Sequence, residues 1–313
     1  MRDIKVANLV TIIIPTYNRR VELKQCLNSV YCQEFTDFEI IVVDDGTDDT
    51  SEMLSEFFPK VICIKNDERL GVSKSKNIGI SLSLGKYLWF LDSDSILVNS
   101  DTLSILIDIL EKNPEIGSVG GEVIRHNNRL VFRSLTYLNI HKTYPYNYVL
   151  QNKEAFTLVC CDYLPTCNCF VRKKDIIQIG GFHEAYFYGF EDADLAFSLT
   201  KIGYKNVWDY RTHIYHIRTD TARTSNFDLL AKNELRFVLL NYPLKTILIY
   251  PAITVLKLLS GFLILKKIDL GQIKSTVKGR KNLSLMVLNY IKALFSAYYF
   301  NIKFIGKIFE ERR

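Results

Sequence analysis

Over the first hundred residues, short continuous apolar runs alternate with stretches whose apolar positions recur every three or four residues. Leu9 to Asn18, LVTIIIPTYN, is a β-branched run stopped by Pro15. Val21, Leu23, Cys26, Leu27 and Val30 then mark an amphipathic helix. Phe38 to Asp45, FEIIVVDD, predicts a second strand buried on both faces, and Asp48 is the expected cap of a helix running to about Phe58. Val61 to Lys65 predicts a third strand, Ser73 to Ser83 a helix, and Tyr87 to Leu91 a fourth strand. Strand and helix in strict alternation imply an α/β fold whose mostly parallel sheet carries helices on both faces. No GxGxxG follows the first strand and no GxxxxGK[ST] occurs, so neither a dinucleotide fold nor a P-loop enzyme is supported.

Two of these strands end in carboxylates. Asp92-Ser93-Asp94 directly follows YLWFL, and the carboxyl end of such a strand opens into the crevice where α/β sheets bind ligands. Two Asp one residue apart make a hard, anionic site suited to Mg²⁺ or Mn²⁺ together with phosphate oxygens, which is chemistry for a nucleoside diphosphate. The alternative is a polar strand end with a turn. At the second strand end, Asp44 is expected to close a turn with Gly46 while Asp45 meets ligand.

VTIIIPTYNR, FEIIVVDDGTDDT and KNIGISLSLGKYLWFLDSDS together resemble the nucleotide-sugar half of family 2 glycosyltransferases, which have the GT-A fold. Farther on, Gly180-Gly181-Phe182-His183-Glu184, Phe190-Glu191-Asp192-Ala193-Asp194-Leu195 and Gly203-Tyr204 resemble the family's acceptor side. The agreement runs in order over roughly the first 220 residues. The resemblance implies that Pro15 and Tyr17 line a nucleobase pocket and that Asp45 reads the base edge. It implies that Lys76 and Asn77 lie near the phosphates and Asp92 against the ribose and metal shell. Asp94 would be the main carboxylate on a Mg²⁺ or Mn²⁺ ion, and His216, in the strand-like stretch Thr212 to Ile217, would complete the metal site. The Glu191-Asp192 pair would supply the general base, Asp192, and transfer would invert the anomeric centre.

Two positions depart from the family pattern: His183 stands where Asp usually follows Gly-Gly-Phe, and Ser198 where Arg is often found. His213 and His216 are three apart, so on a strand they face opposite ways and only one can be a ligand. Cys160, Cys161, Cys167 and Cys169, in CCDYLPTCNC, read as small buried hydrophobes in preference to a zinc site, because strand alternation splits neighbours between faces.

The chain carries 40 Lys+Arg and 34 Asp+Glu, but the balance is uneven. From Arg236 onward the net charge is +11, whereas the preceding residues carry −5. The basic part is also apolar and has no nucleic-acid fold signature, so nucleic acid is not an expected partner. Leu244 to Leu265 is interrupted by Pro251 and Lys257 and reads as an interfacial or re-entrant helix in preference to a span. In the segment Lys281 to Phe309, Lys281, Lys292, Ser296, Lys303 and Lys307 fall within about 80° at 100° per residue. Such a basic stripe suits an anionic membrane surface; the alternative is a helix packed on protein with its lysines in water.

The expected domains are therefore a GT-A catalytic domain over 1–235, with a nucleotide-sugar half at about 1–120 and an acceptor half at about 121–235, and a helical membrane-associating tail over 236–313. Seven Cys and a start without a secretory pattern point to the cytoplasmic face of the cell membrane. The expected partners are a nucleotide-sugar donor and a lipid-linked or growing glycan acceptor. KNELRFVLLN, Lys232 to Asn241, resembles the post-catalytic stretch of rhamnosyltransferase-like members, which implies surface polysaccharide or glycoprotein glycan assembly. Two rival readings are a catalytically inactive membrane-bound scaffold and a sugar-1-phosphate nucleotidylyltransferase. The second needs a Gly-rich phosphate loop where this chain has PTYNRR.

Overall fold

A computed structural model of the chain describes residues 9–125, 158–217, 227–252, 254 and 291–312. The predicted alternation is present, as β1 (Val10–Thr16), α1 (Arg20–Tyr31), β2 (Phe38–Asp44), α2 (Thr50–Phe57), β3 (Ile62–Lys65), α3 (Val72–Leu82) and β4 (Tyr87–Leu91). Helix α2 starts one residue later than expected. Asp49 holds its N-cap position, and Asp48 instead accepts a hydrogen bond from the Thr50 hydroxyl at 2.7 Å.

Next come β5 (Ser95–Leu97), α4 (Thr102–Lys112), β6 (Ile116–Arg125), β7 (Leu158–Cys161), β8 (Asn168–Arg172), α5 (Lys173–Gln178), α6 (Glu191–Lys201) and β9 (Lys205–His216). The sheet runs β3-β2-β1-β4-β8-β6-β9-β5, with β7 also paired to β9. From β3 to β4 every pairing is parallel. Beyond β4 the sheet is mixed: β6 and β9 pair in parallel, but β8 is antiparallel to both β4 and β6, and β5 and β7 are antiparallel to β9.

Period-two alternation distributes the core. Val10, Ile12 and Ile14 of β1 and Tyr87, Trp89 and Leu91 of β4 pack with Leu23, Leu27, Leu54, Leu103 and Leu106 on one face. Ile13, Leu88 and Phe90 pack on the other with Ile80, Ile176, Leu195 and Leu199. Pro15 is tolerated in an interior strand because the β1–β4 ladder ends at Ile13–Phe90, two residues before it.

The chain divides into two compact units, Met1–Thr221 and Ala222–Arg313. The second contains α7 (Phe227–Asn241), which runs without a break through residue 235, the expected domain boundary. Residues 244–252 and 291–303 are also helical, followed by α8 (Ile305–Glu310). Within this unit Asn301 Nδ2 donates to the Lys232 carbonyl at 3.1 Å, and Arg236 pairs with Glu311 at 3.4 Å. Among the described residues no helix is long and apolar enough to cross a membrane. The later part of the expected 244–265 segment and the hinge after it lie outside the described residues.

Candidate active site

Strand register brings the predicted residues together. Leu91 of β4 faces Asn168 of β8, so the next residues outward, Asp92 and Cys167, also meet. Ser95 of β5 faces His216 of β9, which carries the His216 ring back over the DSD turn, and Ile217 N–H donates to the Asp94 carbonyl at 2.9 Å. His216 Nε2 lies 3.4 Å from Asp92 Oδ2 and 3.3 Å from Asp94 Oδ1. His213 pairs in register with Glu122 on β6, away from this cluster. Beneath the turn, the Cys26 thiol contacts the Asp92 carbonyl at 3.7 Å.

Asp94 is fully buried, and its Oδ1 accepts no hydrogen bond within the described residues. Its close neighbours are the Arg19 guanidinium at Oδ2 and His216 at Oδ1. A buried carboxylate whose Oδ1 faces an imidazole beside a second carboxylate fits a divalent cation. Asp92, Cys167 and His216 each offer a ligand atom, all within 4.8 Å of one another. Arg19 follows Asn18, whose backbone is left-handed at φ 51° and whose side-chain oxygen accepts from Thr47 N–H at 2.6 Å. That reversal sends Arg19 back over the DSD turn.

A second group forms at the end of β2. Asp44 closes its turn by accepting from Gly46 N–H at 2.8 Å and pairs with Lys65 at 2.7 Å. Asp45 accepts from Asn66 Nδ2 at 2.6 Å and from Gly71 N–H at 2.8 Å. Arg69 stacks 3.9 Å from the ring centre of Tyr17, with Phe187 beyond it at 5.1 Å. Half-buried Pro15, exposed Tyr17, Asp45, Asn66 and Arg69 thus offer an aromatic face, a guanidinium and a fixed carboxylate, groups that can stack on a flat heterocycle and bond its edge.

The third group is the acidic pair at the start of α6. Gly189 at φ 84° and Phe190 at φ 74° turn the chain sharply, which tucks Glu191 inward and leaves Asp192 half-buried. Asp192 accepts from Ala193 N–H at 2.8 Å. Its carboxyl is pushed up to about 7, first by burial and then by the neighbouring Glu191, with the Lys76 ammonium and helix-start N–H groups opposing. A carboxylate poised there is suited to take a proton near neutral pH.

Lys76 and Asn77 differ from the expectation. Lys76 is fully buried; its ammonium bonds the Thr166 hydroxyl and lies 3.5 Å from Glu191 Oε1. It supports the acidic pair from beneath instead of meeting phosphates, because its position on α3 faces the sheet. Asn77 accepts from Phe182 N–H at 2.9 Å and donates to the Phe182 carbonyl at 2.9 Å, so its amide is committed to the Gly180–Phe182 loop. In that loop His183 Nδ1 accepts from Ala185 N–H at 3.3 Å, a bond to the backbone two residues on that an Asp could also make.

The sequence reading did not assign Arg19, Arg69, Thr166 or Cys167 to the site. Arg69 lies in a polar loop without periodicity, and Cys167 is found only through the β4–β8 register. Residues 126–157, within the acceptor half expected at about 121–235, lie outside the described residues.

The family described as Glycosyl transferase family 2 matches residues 11–177, which takes in β1 through most of α5. Among curated relatives, a PGL/p-HBAD biosynthesis glycosyltransferase of Mycobacterium bovis is 35% identical over 122 residues, 38% of this chain and 48% of that one. Glycosyltransferase GlyG of Streptococcus pneumoniae is 28% identical over 115 residues, 36% of this chain and 38% of that protein. The chain thus matches half or less of the length of these relatives. Among solved structures, mannosyltransferase PcManGT from Pyrobaculum calidifontis, in complex with GDP-Man and Mn²⁺, superposes with a TM-score of 0.58. It is 17% identical, and the match covers 95% of this chain and 88% of that one. The S. aureus TarS 1–349 complex with UDP-GlcNAc gives a TM-score of 0.56 at 19% identity, covering 75% and 67%. Likenesses at this identity establish a shared GT-A architecture.

Proposed function

The chain belongs to glycosyl transferase family 2, and from that premise we propose that it moves a sugar from a nucleotide-sugar donor to a glycan or lipid-linked acceptor with inversion. The observation that carries the reading is the pairing of a carboxylate–imidazole cluster at Asp92, Asp94 and His216 with a separate carboxyl, Asp192, poised near neutrality. The first suits a departing diphosphate and the second an attacking hydroxyl.

A divalent cation, Mn²⁺ or Mg²⁺, held by Asp94, Asp92 and His216 would offset the negative charge that the diphosphate gains as it leaves. Tyr17 and Arg69 hold the base and Asp45 bonds its edge, which fixes the donor. Asp192 takes the proton of the acceptor hydroxyl as its oxygen bonds the anomeric carbon. The bond from that carbon to the diphosphate oxygen breaks on the opposite face, and the electron pair leaves with the diphosphate. Glu191, paired with Lys76, raises the Asp192 carboxyl towards neutrality.

We further propose that the chain works at the cytoplasmic face of the membrane. In the helix over 291–303, Ala293, Ala297 and Asn301 are buried, whereas Phe295 (75% exposed), Tyr299 (73%) and Ile302 (60%) point outward. Exposed Lys292 and Lys303 border that outward face. An outward aromatic stripe edged by lysine favours an anionic lipid surface. It supports a lipid-linked acceptor, and flotation with phosphatidylglycerol vesicles tests it. Phe295→Asp/Tyr299→Asp should abolish binding, and undiminished flotation of that variant would remove the assignment.

The decisive experiment measures nucleoside diphosphate release from a donor panel with Mn²⁺ or Mg²⁺. One donor should be consumed, Asp192→Asn should bind it without turnover, and Asp94→Ala should lose binding. Release from no donor, with either metal and a lipid extract as acceptor, would favour the inactive scaffold.

A further inference from the structure

The loop that leads to Asp192 is mounted on the loop that faces the nucleobase. Val72 N–H, at the start of α3, donates to the Phe187 carbonyl at 2.9 Å, and the Ser73 hydroxyl donates to the Tyr186 carbonyl at 2.6 Å. One turn on, Asn77 holds both backbone groups of Phe182. One residue before Val72, Gly71 gives its N–H to Asp45, the carboxylate of the base pocket.

The Phe187 side chain closes this connection. It is half-buried and belongs to neither hydrophobic core of the sheet. Its ring lies against Gly71, where an added Cβ would meet it at 2.5 Å. The ring centre is also 5.1 Å from the guanidinium of Arg69, an exposed side chain that stacks at 3.9 Å on Tyr17. Both distances are within cation–π range. Two residues beyond Phe187 the backbone turns left-handed at Gly189 and Phe190, and α6 opens with Glu191 and Asp192. A bulky residue in the left-handed region is disfavoured and persists only where its neighbours over-determine it.

We infer that Phe187 is a positioning residue that carries nucleobase recognition at Tyr17 and Arg69 to the loop ahead of Asp192, so that a bound nucleoside diphosphate orders residues 183–190. A nucleobase seated beside Tyr17 fixes the Arg69 guanidinium, Arg69 holds the Phe187 ring, and the Phe187 backbone anchors the run into α6. Binding energy from the nucleobase is then spent in part on placing the general base, which raises kcat and not affinity alone. The inference rests on the transferase reading for the identity of the ligand, but it concerns the coupling of two loops and not whether sugar is transferred.

The test is amide hydrogen exchange of the full chain, read by mass spectrometry with and without saturating UDP or GDP and Mn²⁺. In the wild type one nucleotide should slow exchange by at least about threefold both at 66–72 and at 183–190. Phe187→Leu, which keeps apolar bulk without an aromatic face, should retain the change at 66–72 and lose about half or more of it at 183–190. Phe187→Tyr should restore it. In calorimetric titration with the same nucleotide, Arg69→Met should weaken binding about tenfold in the wild type and less than about threefold in Phe187→Leu, since the guanidinium has already lost one of its two rings. Protection at 66–72 alone, a full response at 183–190 in Phe187→Leu, or additive effects of the two substitutions would overturn the coupling and leave the transferase reading standing. Protection of no segment by either nucleotide would overturn both.

Discussion

Replacing Lys76 by methionine removes a buried charge and keeps most of the volume, which isolates what the ammonium does for the acidic pair. Lys76 is fully buried and Glu191 is 7% exposed, with 3.5 Å between Nζ and Oε1. At an effective dielectric of about 20, charges that far apart attract by roughly 5 kcal/mol. Breaking such a pair from one side typically costs about 3–5 kcal/mol, because the remaining charge stays buried without its partner. Lys76→Met should therefore lower unfolding stability by about 3 kcal/mol or more in urea titration. Lys76→Met/Glu191→Gln should recover to within about 1 kcal/mol of wild type, since neither charge is left behind. The same variants act on Asp192, which Glu191 raises and Lys76 lowers. Also facing Asp192 are the buried thiols of Cys167 and Cys169. Loss of Lys76 should move the acid limb of kcat/KM above its position near pH 7, and Glu191→Gln alone should move it below. A Lys76→Met protein as stable as wild type, with its acid limb unmoved, would refute the support of the base by Lys76.

Three further outcomes are expected. The raised Asp192 carboxyl binds its proton more tightly in the folded state than in the unfolded chain, so its contribution to stability falls as pH rises from about 4 to about 7 and is level above that. Asp192→Asn should accordingly stabilise the protein by about 1–3 kcal/mol at pH 8 and by much less at pH 4, seen as a pH-dependent gain in Tm. Gly71 has φ 85°, its N–H holds Asp45, and a Cβ there would meet the Phe187 ring at 2.5 Å. Gly71→Ala should cost about 1–3 kcal/mol and raise the donor Kd without altering the pH profile, measured by calorimetric titration. Mn²⁺ at about one hundred times its Kd should stabilise the wild type by about 2.7 kcal/mol, and Asp94→Ala should abolish that increment in a thermal melt.

The nucleotide half was legible in the sequence because its information is local. YLWFL and FEIIVV are apolar runs long enough to be interior strands, and each is found within a residue of its expected bounds. Parallel pairing followed from the helices between them, and the carboxylates from their place at strand ends. The acceptor half was less legible because its strands pair across long separations: β8 inserts between β4 and β6, and β5 joins β9. No periodicity encodes that order. Whether Cys167 is core filler or a ligand candidate depends entirely on the Leu91–Asn168 register, which sets a cysteine and an aspartate far apart in sequence face to face.

Lys76 shows the same limit from the other side. Its motif is correctly found, at the position where a basic residue was expected, yet its charge points inward. A lysine on α3 reaches the phosphate side only if its turn of helix faces the cleft, and here that turn packs under Thr166 and Glu191. Burying an ammonium is unfavourable unless a carboxylate and a hydroxyl meet it, and both do. The cost is recovered at Asp192, whose neighbour Glu191 would otherwise sit beside it as an uncompensated like charge and keep it protonated well above neutrality. A base that must accept a proton near pH 7 needs burial to raise it and a nearby cation to limit the rise, and the start of α6 and Lys76 on α3 supply those two effects.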